Sequence, residues 1–125
     1  RDLACIIRSL AYIAFFAAKE ALRASIAETA ISILEGSETA RRALEWYEEA
    51  STALVEAYTE ACKPRSHIVH GVKPGELHEW LPDAVKPWVV KKALYEALYE
   101  ARFRPLNLPV PLLGLTGVFK WPPRS

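Results

Sequence analysis

From Asp2 to Leu34 the chain contains neither proline nor glycine, and alanine is abundant. A backbone with no breaker and many strong helix formers has one favourable state, so a single helix is expected over this stretch, about 50 Å long at 1.5 Å per residue. Gly36 followed by Ser37 reads as a stop and then a start. Glycine suits the left-handed position after a helix, and serine suits the N-cap of the next one. An αα-hairpin is therefore expected.

The second helix is expected from about Glu38 to Cys62. Ala40, Leu44, Tyr47, Ser51, Leu54, Tyr58 and Ala61 recur at spacings of four and three, which puts them on one face. Glu45, Glu48, Glu49, Glu56 and Glu60 fall mostly off that seam, facing solvent or a basic partner. Pro64 ends the helix. Residues 64–82, PRSHIVHGVKPGELHEWLP, hold three prolines, two glycines and all three histidines, and read as an irregular connector with at most a turn near Glu76 to Leu81. Pro87, at a first-turn position, opens a third helix through VVKKALYEALYEARF to about Phe103.

The end of the chain, RPLNLPVPLLGLTGVFKWPPRS, is of another kind. Of its 22 residues nine are large and apolar, five are proline and none is acidic. Its prolines argue against helix and its greasiness against disorder. It is expected to run extended. The bland reading folds it back over its own domain. The reading favoured from sequence lays it on neighbouring copies, anchored by Leu108, Leu112, Leu113, Phe119 and Trp121, with Leu106 and Leu115 helping. The expected class is all-α: a helical domain over residues 1–104, with the irregular connector at 64–82, and an extended assembly tail over 105–125.

Length limits the chain to one domain, and a composition 51 % hydrophobic and 25 % charged is that of an ordinary globular protein. The formal charge of +1 conceals a segregation: residues 37–63 carry three basic and six acidic groups, residues 64–125 nine and five. An anionic partner would meet local basic faces and not a general positive field. Cys5 and Cys62 are far apart and indicate no disulfide framework. The greasy run Leu3 to Ala18 is interrupted by Arg8 and reads as a buried helix, not a membrane segment.

Turned at about 100° per residue, the first helix gathers Arg1, Arg8, Tyr12, Lys19 and Arg23 within roughly 60° of arc. In the third helix Trp88, Lys91, Tyr95 and Arg102 share a face, with Lys92 and Arg104 nearby. Cations interleaved with aromatics at successive turns suit a phosphate backbone, where each Lys or Arg displaces a condensed counterion. The competing interpretation is two solvated amphipathic faces whose rings belong to the core. Neither stripe has a base-reading arrangement, so contact would be independent of sequence.

Support for catalysis is slight. Cys62, His67, His70 and His78, with Glu76 and Glu79 among them, include metal-capable groups but no H-E-x-x-H and no paired C-x-x-C. Neither a metal nor another cofactor is expected, and no enzyme. Arg65 and His70, as R-x-x-x-x-H, resemble the catalytic pattern of HEPN-family ribonucleases, also small helical proteins; that resemblance implies arginine stabilising an RNA phosphate and histidine polarising the attack. A helical dimer that regulates another protein is a third alternative.

The alanine-rich N-terminal helix, the hairpin, the basic-aromatic stripes and the apolar tail together resemble the coat proteins of filamentous viruses of hyperthermophilic archaea, the rudivirus, lipothrixvirus and tristromavirus group. A composition rich in Ala, Leu, Glu, Arg and Pro without methionine is compatible with a hot source. The resemblance is architectural, with no diagnostic motif. It implies a virion protein that pairs as a homodimer or heterodimer and wraps double-stranded DNA held in the A-form. Arg1, Arg8, Tyr12, Lys19 and Arg23, together with Lys91, Lys92 and Arg102, would then face the DNA. It leaves membrane involvement open, and the near-neutral charge departs from what a coat must offset.

Overall fold

The computed structural model describes residues 1–62 and 76–123. Among these every regular element is helical: α1 (Asp2–Leu22), α2 (Ile26–Glu35), α3 (Glu38–Cys62), α4 (Leu77–Phe103), a 3-10 turn (Pro105–Asn107) and α5 (Pro109–Leu115). The protein is all-α, as the helical patterning requires. No helix among the described residues is long and apolar enough to cross a membrane.

The breaker-free N-terminal stretch is two helices and not one. Arg23 takes the left-handed conformation (φ 52°, ψ 42°) and closes α1, its N–H donating to the Glu20 carbonyl while the Ala24 N–H reaches Lys19 O. A side chain in that region costs roughly 1–2 kcal/mol, and the next cap offsets it. The Ser25 hydroxyl accepts from the Glu28 N–H at 3.1 Å while the Glu28 carboxylate accepts from the Ser25 N–H at 3.1 Å. This reciprocal capping box satisfies two donors that a helix start leaves open. The bonds from Ser25, its N–H foremost, hold the Glu28 carboxyl below the usual carboxylate range. Gly36 (φ 74°) then closes α2 and Ser37 opens α3, its hydroxyl accepting from the Ala40 N–H, as that dipeptide predicts.

α1 forms the centre. Leu3, Ala4, Ile7, Ala11, Ala14, Phe15 and Ala18 are all buried, at the spacing of one helix face. Its alanines let α3 and α4 approach closely. α3 answers with Ala40, Tyr47, Ser51, Val55 and Thr59. α4 contributes Leu81, Val85, Val89 and Ala93 at intervals of four. It starts ten residues before the expected Pro87, and Pro82 and Pro87 stand inside it. Each proline removes one helical donor, yet the helix persists because this inner face is packed.

The tail is not extended: it folds into the 3-10 turn and α5 and packs on its own chain, which corrects the expectation of an extended tail. Pro105 opens the 3-10 turn, and Pro109 and Pro111 occupy first-turn positions of α5. There the backbone N–H has no acceptor within the helix, so proline loses nothing. Val110, Leu113, Phe119 and Trp121 are 0–5 % exposed in the chain's own core. The Phe119 ring meets Tyr47 edge-on at 5.5 Å, and the Tyr47 hydroxyl donates to the Lys120 carbonyl at 3.0 Å. Trp121 Nε1 donates to the Pro82 carbonyl at 3.0 Å. Of the five expected anchors, Leu113, Phe119 and Trp121 are thus used internally, Leu108 is half-buried and Leu112 remains exposed. The physical reason is an open core: helices α1, α3 and α4 leave a side that α5 and the segment after it close.

Candidate nucleic-acid interface

α1 and α4 lie side by side and run in the same direction, since Arg1 neighbours Trp88 and Lys91, Arg8 pairs with Glu96, and Tyr12 neighbours Glu100 and Arg104. Between them runs a groove of two adjoining concavities, each about 580 Å³, which share Cys5, Lys92 and Tyr95. From Trp88 to Arg104 it covers about 24 Å of helix axis.

Cations and rings alternate along the groove. Lys91 Nζ lies 5.3 Å from the centre of the Trp88 ring, Lys92 Nζ 4.9 Å from that of Tyr95, and the Arg104 guanidinium 5.5 Å from that of Tyr99. Such pairs hold long basic side chains in place while leaving their charge near water. Arg1 joins at the upper end. The acids in the same wall are paired: Glu96 accepts from the buried Arg8 Nε at 2.7 Å, and Glu100 pairs with Arg104 of the groove itself. The positive character that faces solvent therefore comes from Arg1, Lys91 and Lys92.

Arg8 does not belong to the exposed stripe in which its helical angle puts it. Its side chain is 1 % exposed, paired with Glu96 and directed at the backbone of Gly114. An added Cβ at Gly114 would fall within about 3 Å of all three outer guanidinium atoms. Arg8 therefore joins α1, α4 and α5 from within, and as a DNA contact it is withdrawn. Tyr12, half-buried beneath it with the Arg8 guanidinium 5.9 Å from its ring, lines the groove. Burial, with Glu96 and Glu100 adding, pushes its hydroxyl pKa well above the ordinary tyrosine value. It stays neutral there.

The remaining expected contacts divide. Arg1, Lys91 and Lys92 come together in the groove. Arg102 is exposed about three turns below Lys91 on α4, its guanidinium 5.3 Å from the Phe103 ring centre. Lys19 is half-buried in the last turn of α1, and Arg23 is exposed at the left-handed residue beyond it, so neither lines the groove. Arg104 and Tyr99 complete the site; Tyr99 was missed by sequence reasoning, although its place four residues after Tyr95 in the repeated ALYE was the available signal.

Arg65, His67 and His70, the HEPN-like pair and most of the histidine cluster, lie outside the described residues. Among the described residues no group of three or more His, Cys, Asp or Glu side chains could hold a metal ion. Compared with protein-family models, curated proteins and solved structures, the chain matches none.

Proposed function

We propose that the protein is a structural, non-enzymatic coat subunit that binds the phosphate backbone of double-stranded DNA without sequence preference and assembles with other copies around it. On this reading the nucleoprotein filament is a virion and the chain its coat protein. One observation carries the proposal: α1 and α4, separate in sequence, bring Arg1, Lys91, Lys92 and Arg104 to one groove interleaved with Trp88, Tyr95 and Tyr99. Each exposed cation that replaces a counterion adds a salt-sensitive increment of affinity. With a net charge of +1, one subunit offsets only a few phosphates, so tight coating depends on many subunits acting together.

A second reading has a specific observation behind it. Trp88, Tyr95 and Tyr99 are 42–60 % exposed beside the cations, and exposed rings along a basic track suit unstacked bases of a single strand. Electron microscopy of the protein mixed with mixed-sequence duplex tests the first reading: regular filaments of constant width are expected. Bare duplex among dispersed protein overturns it, and coating confined to single-stranded DNA selects the second.

A further inference from the structure

We infer that the side of α4 facing away from α1 is the surface through which two copies of this chain pair. The observation is an excess of apolar residues on that helix. Its inner face already supplies Leu81, Val85, Val89 and Ala93 to the core, yet Val90, Leu94 and Leu98 repeat the interval of four on the outside, 45 %, 51 % and 74 % exposed. Pro87 and Ala101, both exposed, extend the same stripe at either end. A helix with apolar stripes on two opposite faces has two surfaces to bury. The protein's own elements cover only half of this one.

Charge and area decide the occupant. The stripe bears no charge along its length and is bordered by Lys91 and Arg102, whose aliphatic stems add apolar surface while their heads stay in water. With the Arg102 stem the face offers on the order of 500 Å², so two copies together bury about the 1,000 Å² that a specific interface needs. A second copy brings the same uncharged stripe. Pairing about a two-fold axis at Leu98, the most exposed of the three, sets that leucine against its own copy, and self-complementarity of this kind closes after two subunits. On the 100° helical wheel Leu94 lies about 160° from Lys92, so pairing leaves the Lys92 side of the groove open. The inference rests on the proposed self-assembly and gives it a surface other than the tail.

Light scattering on a sizing column, without nucleic acid, tests this on the full chain. The wild type is expected at about twice 14.0 kDa, and Leu94→Glu/Leu98→Glu at the monomer mass with unaltered helical circular dichroism. Because both positions are exposed, the fold is not at stake. Leu98→Cys supplies an independent readout: on mild oxidation it is expected to give a covalent dimer resolved by reductant. A wild type that is monomeric, a dimer that survives both glutamates, or a Leu98→Cys variant that forms no intermolecular disulfide overturns the inference. A monomer that binds anionic vesicles overturns it too, by assigning the stripe to a lipid surface. DNA binding is read separately on Lys91→Glu/Lys92→Glu, so loss of pairing and loss of the groove's function are distinguishable.

Discussion

Gly114→Ala places two effects of known sign against each other. Gly114 lies in α5 without a positive φ, so alanine fits its backbone and gains about 1 kcal/mol of helix propensity. Against this, the new methyl meets the Arg8 guanidinium, with Cζ at 3.0 Å and Nη2 at 3.1 Å and Nη1 closer still. An exposed arginine would swing aside at no cost. Arg8 cannot, because it is buried and its Nε is bonded to Glu96 at 2.7 Å. Overpacking of this kind costs about 1–3 kcal/mol, and weakening a buried ion pair works in the same direction. The net expectation is destabilisation by roughly 1–2 kcal/mol. Urea unfolding followed by circular dichroism measures it. In the background Arg8→Met/Glu96→Gln the obstacle is gone, and the same Gly114→Ala change should stabilise by up to about 1 kcal/mol. Equal stabilisation in both backgrounds would refute the packing of α5 on Arg8 and, with it, the account of the folded-back tail.

Two further outcomes follow from the same core. Deleting residues 105–125 removes Val110, Leu113, Phe119 and Trp121, worth about 1.5–3 kcal/mol each against a typical total of about 5–15 kcal/mol; the truncated chain should lose cooperative thermal unfolding, and a sharp transition at the wild-type temperature would contradict this. Burial raises the Tyr47 pKa from 10.0 to about 12. The folded state therefore keeps that proton while the unfolded chain releases it. This contribution is complete below pH 10 and is lost as pH climbs from 10 through 12. Tyr47→Phe should flatten that loss, and by removing the hydroxyl's hydrogen bond to the Lys120 carbonyl should cost about 0.5–1.5 kcal/mol at neutral pH, both seen in urea titrations across pH.

The legible parts of this fold were those set by local chemistry. Gly36 and Ser37 marked the α2/α3 junction, and the α3 seam named Ala40, Tyr47 and Ser51 correctly. By its C-terminal end the buried positions had moved to Val55 and Thr59, because a seam written at 3.5 residues drifts against a helix of 3.6. The break at Arg23 was partly legible: Ser25 and Glu28 spell a capping box, but nothing in the residue type announces a left-handed arginine. Proline content alone does not tell a breaker from a helix start, and Pro109 and Pro111 stand in a first turn, where a helix tolerates them. For the site, periodicity found Lys91 and Lys92 but put Arg8 outside. A helical wheel gives an angle, and only the packing of α4 and α5 shows that this angle points inward.

The groove's role is tested most directly by the salt dependence of its affinity for a mixed-sequence DNA duplex, followed by fluorescence anisotropy. With Arg1, Lys91 and Lys92 engaged, the logarithm of the association constant should fall against log salt with a slope of about −2.7 per subunit. Lys91→Glu/Lys92→Glu should reduce that slope by about two and weaken binding at low salt at least tenfold. Binding that is absent, indifferent to salt, or unaffected by the two substitutions would contradict the account.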